Sequence, residues 1–371
     1  MAPTQKPEEP DFHLRDTSSL GCRACAWSME PVSSLLVGSF VRHKLERLFD
    51  YRHCVTLNDI ATHGEIRGGA PMKILVTGST GLVGRALVAF IAAGGHGVTR
   101  LVRSRPRSGT AEVHWDPDVG SIDMSGLEGL DAVVHLAGES IATGRWTAEK
   151  KARIRESRVK GTRLLCESLA RLGQPPQVLV SASAIGYYGD RGDEILREES
   201  ALGSGFLAEV CREWEAATES AIKKGIRVVH LRIGVVLSPL GGALAKMLLP
   251  FRMGLGGIIG SGRQFMSWIA IDDLVASIAY ALTTDALRGP VNAVAPHPVT
   301  NREFTRTLGR VLARPTLFPM PAFAARLAFG EMADELLLSS TRVEPARLSA
   351  TGYVFRHATL EGALRHLLGK K

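Results

Sequence analysis

The stretch Lys73-Ile74-Leu75-Val76-Thr77-Gly78-Ser79-Thr80-Gly81-Leu82-Val83-Gly84 decides the fold. Lys73 to Thr77 is an apolar run with the length of one buried strand. Gly78, Gly81 and Gly84 follow at regular spacing, and Arg85 to Ala93 then places apolar residues at helical period. A glycine triplet between a strand and a helix reads as a dinucleotide-binding turn. Gly78 lets the chain leave the strand sharply. Gly81 removes a side chain where a pyrophosphate approaches the backbone, and Gly84 lets the helix lie close on the sheet. The unpaired amides and positive dipole end of the helix favour phosphate. Ser79, Thr80, Leu82 and Val83 complete the expected cradle.

Outward toward the N-terminus, residues 1 to about 34 are polar and patternless and read as poorly ordered. Residues 35–50 put Leu45, Leu48 and Phe49 on one face of an amphipathic helix, and Thr56 with Asp59 suggests the cap of a second, short helix. Gly68-Gly69-Ala70-Pro71 reads as a linker, and Met72 stands directly before the first strand. Residues 1–71 are therefore expected to be an appendage that the nucleotide fold does without.

Toward the C-terminus, Val98 to Val102 is the second strand and ends in Arg103-Ser104-Arg105. Sites preferring NAD place an acid at this junction to hold the ribose hydroxyls. A guanidinium here suits the adenosine 2′-phosphate of NADP instead. His114-Trp115-Asp116-Pro117 reads as a short strand entering a turn. Asp131 to Ala137 is the next strand, so Leu136, Ala137 and Gly138 pass close to the cofactor at its C-terminal end. Glu139 either faces the active site or caps the following turn.

Thr147 is the expected N-cap of a helix reaching Leu172. Val178 to Ser181 is a buried strand opening into Ala182-Ser183-Ala184-Ile185-Gly186-Tyr187-Tyr188-Gly189, where hydroxyl groups gather as acid/base candidates. Phe206 to Lys223 reads as a helix, Arg227 to Leu237 as a strand and Pro290 to Val294 as another. Gly260-Ser261-Gly262-Arg263-Gln264 is a polar loop offering Arg263 and Gln264 to a substrate, and Asp272 or Asp273 is expected to cap the helix after it. Helices are expected over 302–313 and 321–347, and these late elements break the strand–helix alternation. The fold class is thus α/β, a doubly wound Rossmann parallel sheet with a smaller C-terminal substrate lobe. Residues 72–240 bind NADP(H), and 241–371 form the lobe, with 266–295 returning to the core.

Hydrophobic content of 45% and charged content of 22% over 371 residues describe an ordinary soluble globular chain. No apolar run approaches the roughly 20 residues of a membrane helix, so no membrane partner and a cytoplasmic location are expected. The net charge of +8 is scattered, without a basic block or interleaved aromatics, which argues against nucleic acid. Five cysteines do not make a disulfide framework. Cys22 and Cys25 form a lone C-x-x-C to which only His13 and Cys54 could add, so no metal is expected.

Read together, Thr77 to Gly84, His135-Leu-Ala-Gly138, Ser157-Arg-Val-Lys-Gly-Thr162, Ser183 to Gly189 and Leu231-Arg-Ile-Gly234 resemble the ordered motifs of extended short-chain dehydrogenases/reductases. Trp115-Asp116-Pro117, Gly144-Arg-Trp146, Leu248-Leu-Pro-Phe-Arg252, Gly260-Ser-Gly-Arg-Gln264 and Asn292-Ala-Val-Ala-Pro296 narrow the resemblance to an atypical, nucleoside-diphosphate-sugar epimerase-like branch, over about residues 72–368. The resemblance implies NADP(H) held at the glycine turn, with contacts from Arg103, Leu136, Ala137 and Arg158. It also marks a departure. Ordinary members carry Tyr-x-x-x-Lys where this chain has Phe206-Leu-Ala-Glu-Val210, and Ala270 stands where relatives have histidine. The proton relay then falls to Ser183, Tyr187, Tyr188 or Glu139. Residues 40–63 resemble the terminal helix of a START-like domain that some relatives carry. Two functions follow. One is an NADP-dependent epimerase or oxidoreductase acting on a small, nucleotide-linked substrate, with self-association left open. The other is a non-catalytic NADPH-responsive regulatory or binding protein, tied by the resemblance to cell division.

Overall fold

The computed structural model describes residues 31–66 and 70–370. The poor order expected over residues 1–30, the Cys22/Cys25 pair with His13, and Gly68-Gly69 of the linker lie outside the described residues. One helix, α1 (Pro31–Ile66), replaces the two expected N-terminal segments. Thr56 and Asp59 lie inside it, and residues 31–34 belong to it rather than to an irregular arm. The chain divides into compact units at Asp50/Tyr51. In the first, Leu45, Leu48 and Phe49 remain exposed. The second, Tyr51–Lys371, contains every element that follows.

The apolar run becomes β1 (Lys73–Thr77), followed by α2 (Leu82–Ala93), β2 (Gly97–Val102), β3 (Glu112–Asp116) and β4 (Ser121–Ile122). Then come β5 (Ala132–His135), α3 (Ala148–Arg171), β6 (Val178–Ala184), β7 (Ile195–Leu196), α4 (Phe206–Ala216), α5 (Glu219–Lys223) and β8 (Arg227–Ile233). The later elements are β9 (Val235–Ser238), α6 (Gly242–Arg252), β10 (Phe265–Met266), β11 (Trp268–Ala270), α7 (Ile271–Thr283), β12 (Gly289–Ala293) and β13 (Val299–Thr300). The chain ends with α8 (Asn301–Leu312), α9 (Ala322–Phe329), α10 (Glu331–Ala333), β14 (Arg342–Val343), α11 (Ala346–Ala350) and α12 (Leu360–Leu367).

Eight strands form one sheet in the order β12-β8-β6-β5-β1-β2-β3-β4. Every neighbouring pair is parallel except β3 with β4. The inner strands β5, β6 and β8 are buried along almost their whole length, as a sheet covered on both faces requires. On one face Leu87 and Ile91 of α2 and Leu274 and Ile278 of α7 pack on Ile74, Val134 and Val180. On the other, Leu165 and Leu169 of α3 pack on Leu75, Val133 and Leu179. Burying each such side chain contributes about 1.5–3 kcal/mol. The order in which successive strands join the sheet switches sides between the parallel neighbours β1 and β5, which opens the crevice at their C-terminal ends. The α/β doubly wound reading therefore stands.

Several boundaries differ from the sequence reading, each for a local reason. The stretch 206–223 breaks into α4 and α5 because Thr218 turns its hydroxyl onto Glu215 O (2.8 Å) and His230 Nε2 (2.8 Å). The strand over 227–237 breaks at Gly234, where a Cβ would meet Ser267 O at 2.7 Å. Beyond it, β9 leaves the main sheet to pair with β11. The expected helix over 321–347 is instead α9, α10 and one wide turn, ended when Ser339 Oγ bonds Glu335 O (2.8 Å) and Ser340 Oγ bonds Gly192 O (2.6 Å). β14 then pairs with β7. Asp273 does not cap α7. Its carboxylate accepts from the backbone N–H groups of Arg356 (3.0 Å) and His357 (2.9 Å). A second core gathers Leu248 and Phe251 of α6, Trp268, Phe304 of α8 and Leu364 of α12. No helix among the described residues is long and apolar enough to cross a membrane.

Candidate active site

The glycine turn has the geometry its sequence demands. Gly78 sits at φ +65°, and a Cβ on it would meet Leu136 C and O at 2.7 Å. A Cβ on Gly84 would meet Gly78 O at 2.2 Å. The turn closes with Gly81 N donating to Gly78 O (2.9 Å). Gly81 is the N-cap of α2 and brings no capping side chain, so the first amides of the helix stay available to an anion in the crevice. Ser79 and Thr80 lie in this turn, and Leu82 and Val83 open α2 directly after it.

A polar relay that the sequence reading missed fixes the turn against β5. Thr77 Oγ1 accepts from Leu136 N (3.0 Å) and Ala137 N (3.1 Å) and contacts His135 Nδ1 (2.8 Å). Both hydroxyl lone pairs are taken, so its proton points to Nδ1. The imidazole therefore carries its proton on Nε2 and gives it to Thr162 Oγ1 (2.9 Å) on α3. Burial pulls the His135 pKa down to about 4, consistent with a neutral ring. One chain of hydrogen bonds thus aligns β1, β5 and α3 at the crevice.

Cations surround the strand ends. Arg103 is exposed at the end of β2 and makes no hydrogen bond or ion pair among the described residues. Arg158 is packed inside, its guanidinium 5.0 Å from the Trp214 ring and 3.3 Å from where a Cβ on Gly138 would stand. It donates to Glu139 O (3.0 Å) and Ile154 O (3.1 Å). Glu139 caps no turn, and its partly exposed carboxylate pairs through Oε1 with Lys150 Nζ at 2.5 Å. The Lys150 bond, assisted by the charges of Arg153 and Arg103, holds the Glu139 carboxyl below the usual carboxylate range. Lys150 was not legible in Ala148-Glu-Lys-Lys-Ala-Arg153, which reads as a solvated helix start, yet its side chain is almost wholly buried.

Ser183, Tyr187 and Tyr188 enter a second network. Ser183 Oγ donates to Glu215 Oε1 (2.7 Å), and Glu215 is forked by Arg232 through Nε (2.8 Å) and Nη2 (2.9 Å). Arg232 also donates to Tyr188 Oη (3.0 Å), which donates to Asn292 Oδ1 (2.7 Å). Tyr188 is completely buried, and burial pushes its pKa up to about 12. Its hydroxyl is committed within the core. Tyr187 is half-buried, with the Arg232 guanidinium 3.4 Å from its ring centroid. Arg232 in the apolar run Val228 to Ile233 was the available signal, since a charge inside a buried strand requires a buried partner. That the partner is Glu215 depends on the fold.

Phe206 opens α4, at the position where the sequence resemblance leads one to expect a tyrosine. It packs edge-on against Trp146 (5.4 Å) and lies under Lys151 Nζ (4.7 Å). Trp146, Lys151, Arg155, Phe206, Glu331 and Glu335 line an open cleft of about 730 Å³. Arg263 and Gln264 do not join these groups. Gln264 is buried and clamps Ile259 O and Leu337 O (2.9 Å each), while Arg263 is exposed without a side-chain partner among the described residues.

Residues 74–293 match the NAD dependent epimerase/dehydratase family. The chain belongs to that family. Residues 320–367 of this epimerase-family chain match a separate domain family of unknown function. The chain is 45% identical over 291 residues to an epimerase family protein of Mycobacterium bovis, covering 78% of this chain and 96% of that one. It is similar to the crystal structure of human epimerase family protein SDR39U1 with NADPH, at 37% identity and a TM-score of 0.73, covering 80% of this chain and 99% of the human one. A nucleoside-diphosphate sugar epimerase from Corynebacterium glutamicum gives a TM-score of 0.73 at 40% identity. That match covers 87% of this chain and 64% of the bacterial one.

Proposed function

We propose that this chain binds NADP(H) on the Gly78–Gly84 turn and acts as an epimerase- or oxidoreductase-like enzyme on a small, nucleotide-linked substrate. The carrying observation is the turn itself, where the missing side chains of Gly78 and Gly84 leave backbone in van der Waals contact and α2 uncapped toward the crevice. A nicotinamide cofactor, when bound, supplies hydride transfer. Arg103, with no hydrogen-bond or ion-pair partner among the described residues, suits the 2′-phosphate, in keeping with a human relative solved with NADPH. Replacing Arg103 with Ala is expected to weaken NADPH binding about 10–100-fold, the value of one charge-assisted guanidinium–phosphate contact, and to leave NADH within about 3-fold. Titration of cofactor fluorescence checks both values.

The chain's own proton chemistry is assigned to two groups. Tyr187, held flat on Arg232, is the donor; Glu139, kept ionised by Lys150, is the acceptor. Ser183 and Tyr188 are committed to Glu215 and Asn292 and serve to position them. The lobe after residue 240 supplies the substrate side. Stopped-flow oxidation of bound NADPH against sugar nucleotides and simple carbonyl compounds tests this reading. Tyr187→Phe and Glu139→Gln are each expected to lower turnover by about 10²–10⁴ with NADPH affinity little changed. No turnover with any compound, or variants indistinguishable from wild type, would count against it. Phe206 in place of a proton-carrying tyrosine favours the second reading, an NADPH-responsive binding protein without turnover. Partner capture that does not change with NADPH would remove it.

A further inference from the structure

Asp272 in the first turn of α7, His357 just before α12 and His366 in its last turn come together. One ligand atom from each lies within 4.8 Å of the other two. His366 Nε2 is 3.1 Å from Asp272 Oδ2. The two imidazoles are stacked, with centroids 4.2 Å apart and planes 25° from parallel. The His357 Nε2 is buried and has no hydrogen-bond partner among the described residues. A buried ring nitrogen without a partner costs free energy that a ligand would recover. The backbone of this segment is held in place, because Asp273 accepts from the N–H groups of Arg356 and His357.

The geometry points to a divalent transition-metal site of Zn²⁺ type, built from Asp272, His357 and His366. Bonds of about 2.0–2.1 Å in a tetrahedral shell separate neighbouring N and O ligands by about 3.3 Å, close to the observed Asp272–His366 spacing. A small rotamer adjustment brings His357 into the same shell, leaving the fourth position for water. Two imidazoles and one carboxylate are a borderline donor set that suits Zn²⁺ better than Ca²⁺ or Mg²⁺.

The Tyr51 ring lies 5.5 Å from His366, and Arg356 is bonded to Asn58 O and Thr62 Oγ1. A metal here ties together α7, α12 and the half of α1 that follows Asp50. This assignment does not depend on the cofactor or the reaction.

The test uses the full chain, tag-free, stripped with a chelator and then titrated with Zn²⁺ in competition with a chromophoric chelator. One Zn²⁺ per chain is expected, with a thermal midpoint that rises on adding Zn²⁺. Co²⁺ should give the visible absorption of a tetrahedral N/O site. His357→Ala, His366→Gln and Asp272→Asn should each weaken Zn²⁺ by about 100-fold or more. His297→Gln, elsewhere on the molecule, should not. NADPH binding by the metal-free variants verifies that they fold. Sub-stoichiometric Zn²⁺ in the wild type, or unchanged binding in all three folded variants, overturns the site.

Discussion

Gly84→Ala is expected to weaken NADPH binding on the order of 100-fold. The new Cβ would sit 2.2 Å from Gly78 O and 2.8 Å from both Gly78 C and Ser79 Cα. None of these is the far end of a flexible side chain, so the start of α2 must lift away from the end of β1. The first-turn amides would then miss the phosphates by about 1 Å, a displacement that costs on the order of 100-fold in a positioned site. Overpacking adds about 1–3 kcal/mol of destabilisation. Gly173→Ala is the control, since nothing lies within 4 Å of its added Cβ and its φ is not positive. Urea unfolding and cofactor titration on both variants separate the two effects. Normal NADPH affinity in Gly84→Ala would show that the cofactor does not use this turn.

Arg232→Met is expected to be the most destabilising single change in the second network, by about 3–5 kcal/mol, because it strands Glu215 as a buried charge. Glu215 is 12% exposed at its side chain and Arg232 3%. Burial works to lower the Arg232 pKa, but the hydrogen bonds and charge of Glu215 outweigh it and leave it raised. The methionine also removes the donor to Tyr188 and the cation packed on Tyr187. Adding Glu215→Gln should recover much of the loss. The coupling in that double-mutant cycle, read from urea midpoints, measures the pair itself. Additive effects would mean that the two charges are not energetically linked.

The nucleotide half of the molecule was readable along the chain because its signals are local. A strand, three spaced glycines and a helix lie within Lys73–Ala93, and their spacing alone places the turn that the structure shows. Arg103 at the end of β2 was equally visible, as was Thr147, whose hydroxyl accepts from Lys150 N (3.2 Å). Boundaries failed where a side chain or carbonyl from a distant segment intervened. Thr218 turned to His230, Gly234 made room for Ser267 O, and Ser340 bonded Gly192 and so ended a helix that its own apolar spacing would have continued.

The sequence by itself determined the Rossmann core, because periodicity and glycine spacing are short-range properties of the chain, while the family rested on the resemblance of its ordered motifs and on the match over residues 74–293. Only the tertiary structure decided what the hydroxyls, acids and imidazoles do. Tyr187 and Tyr188 are adjacent in sequence, yet one lies half-buried over a guanidinium and the other is fully enclosed on Asn292. Glu139 found Lys150, Glu215 found Arg232, and Asp272 found two histidines on and beside α12. The role of a buried polar group is set by which partner the fold delivers to it, and that partner is not encoded in its neighbours along the chain.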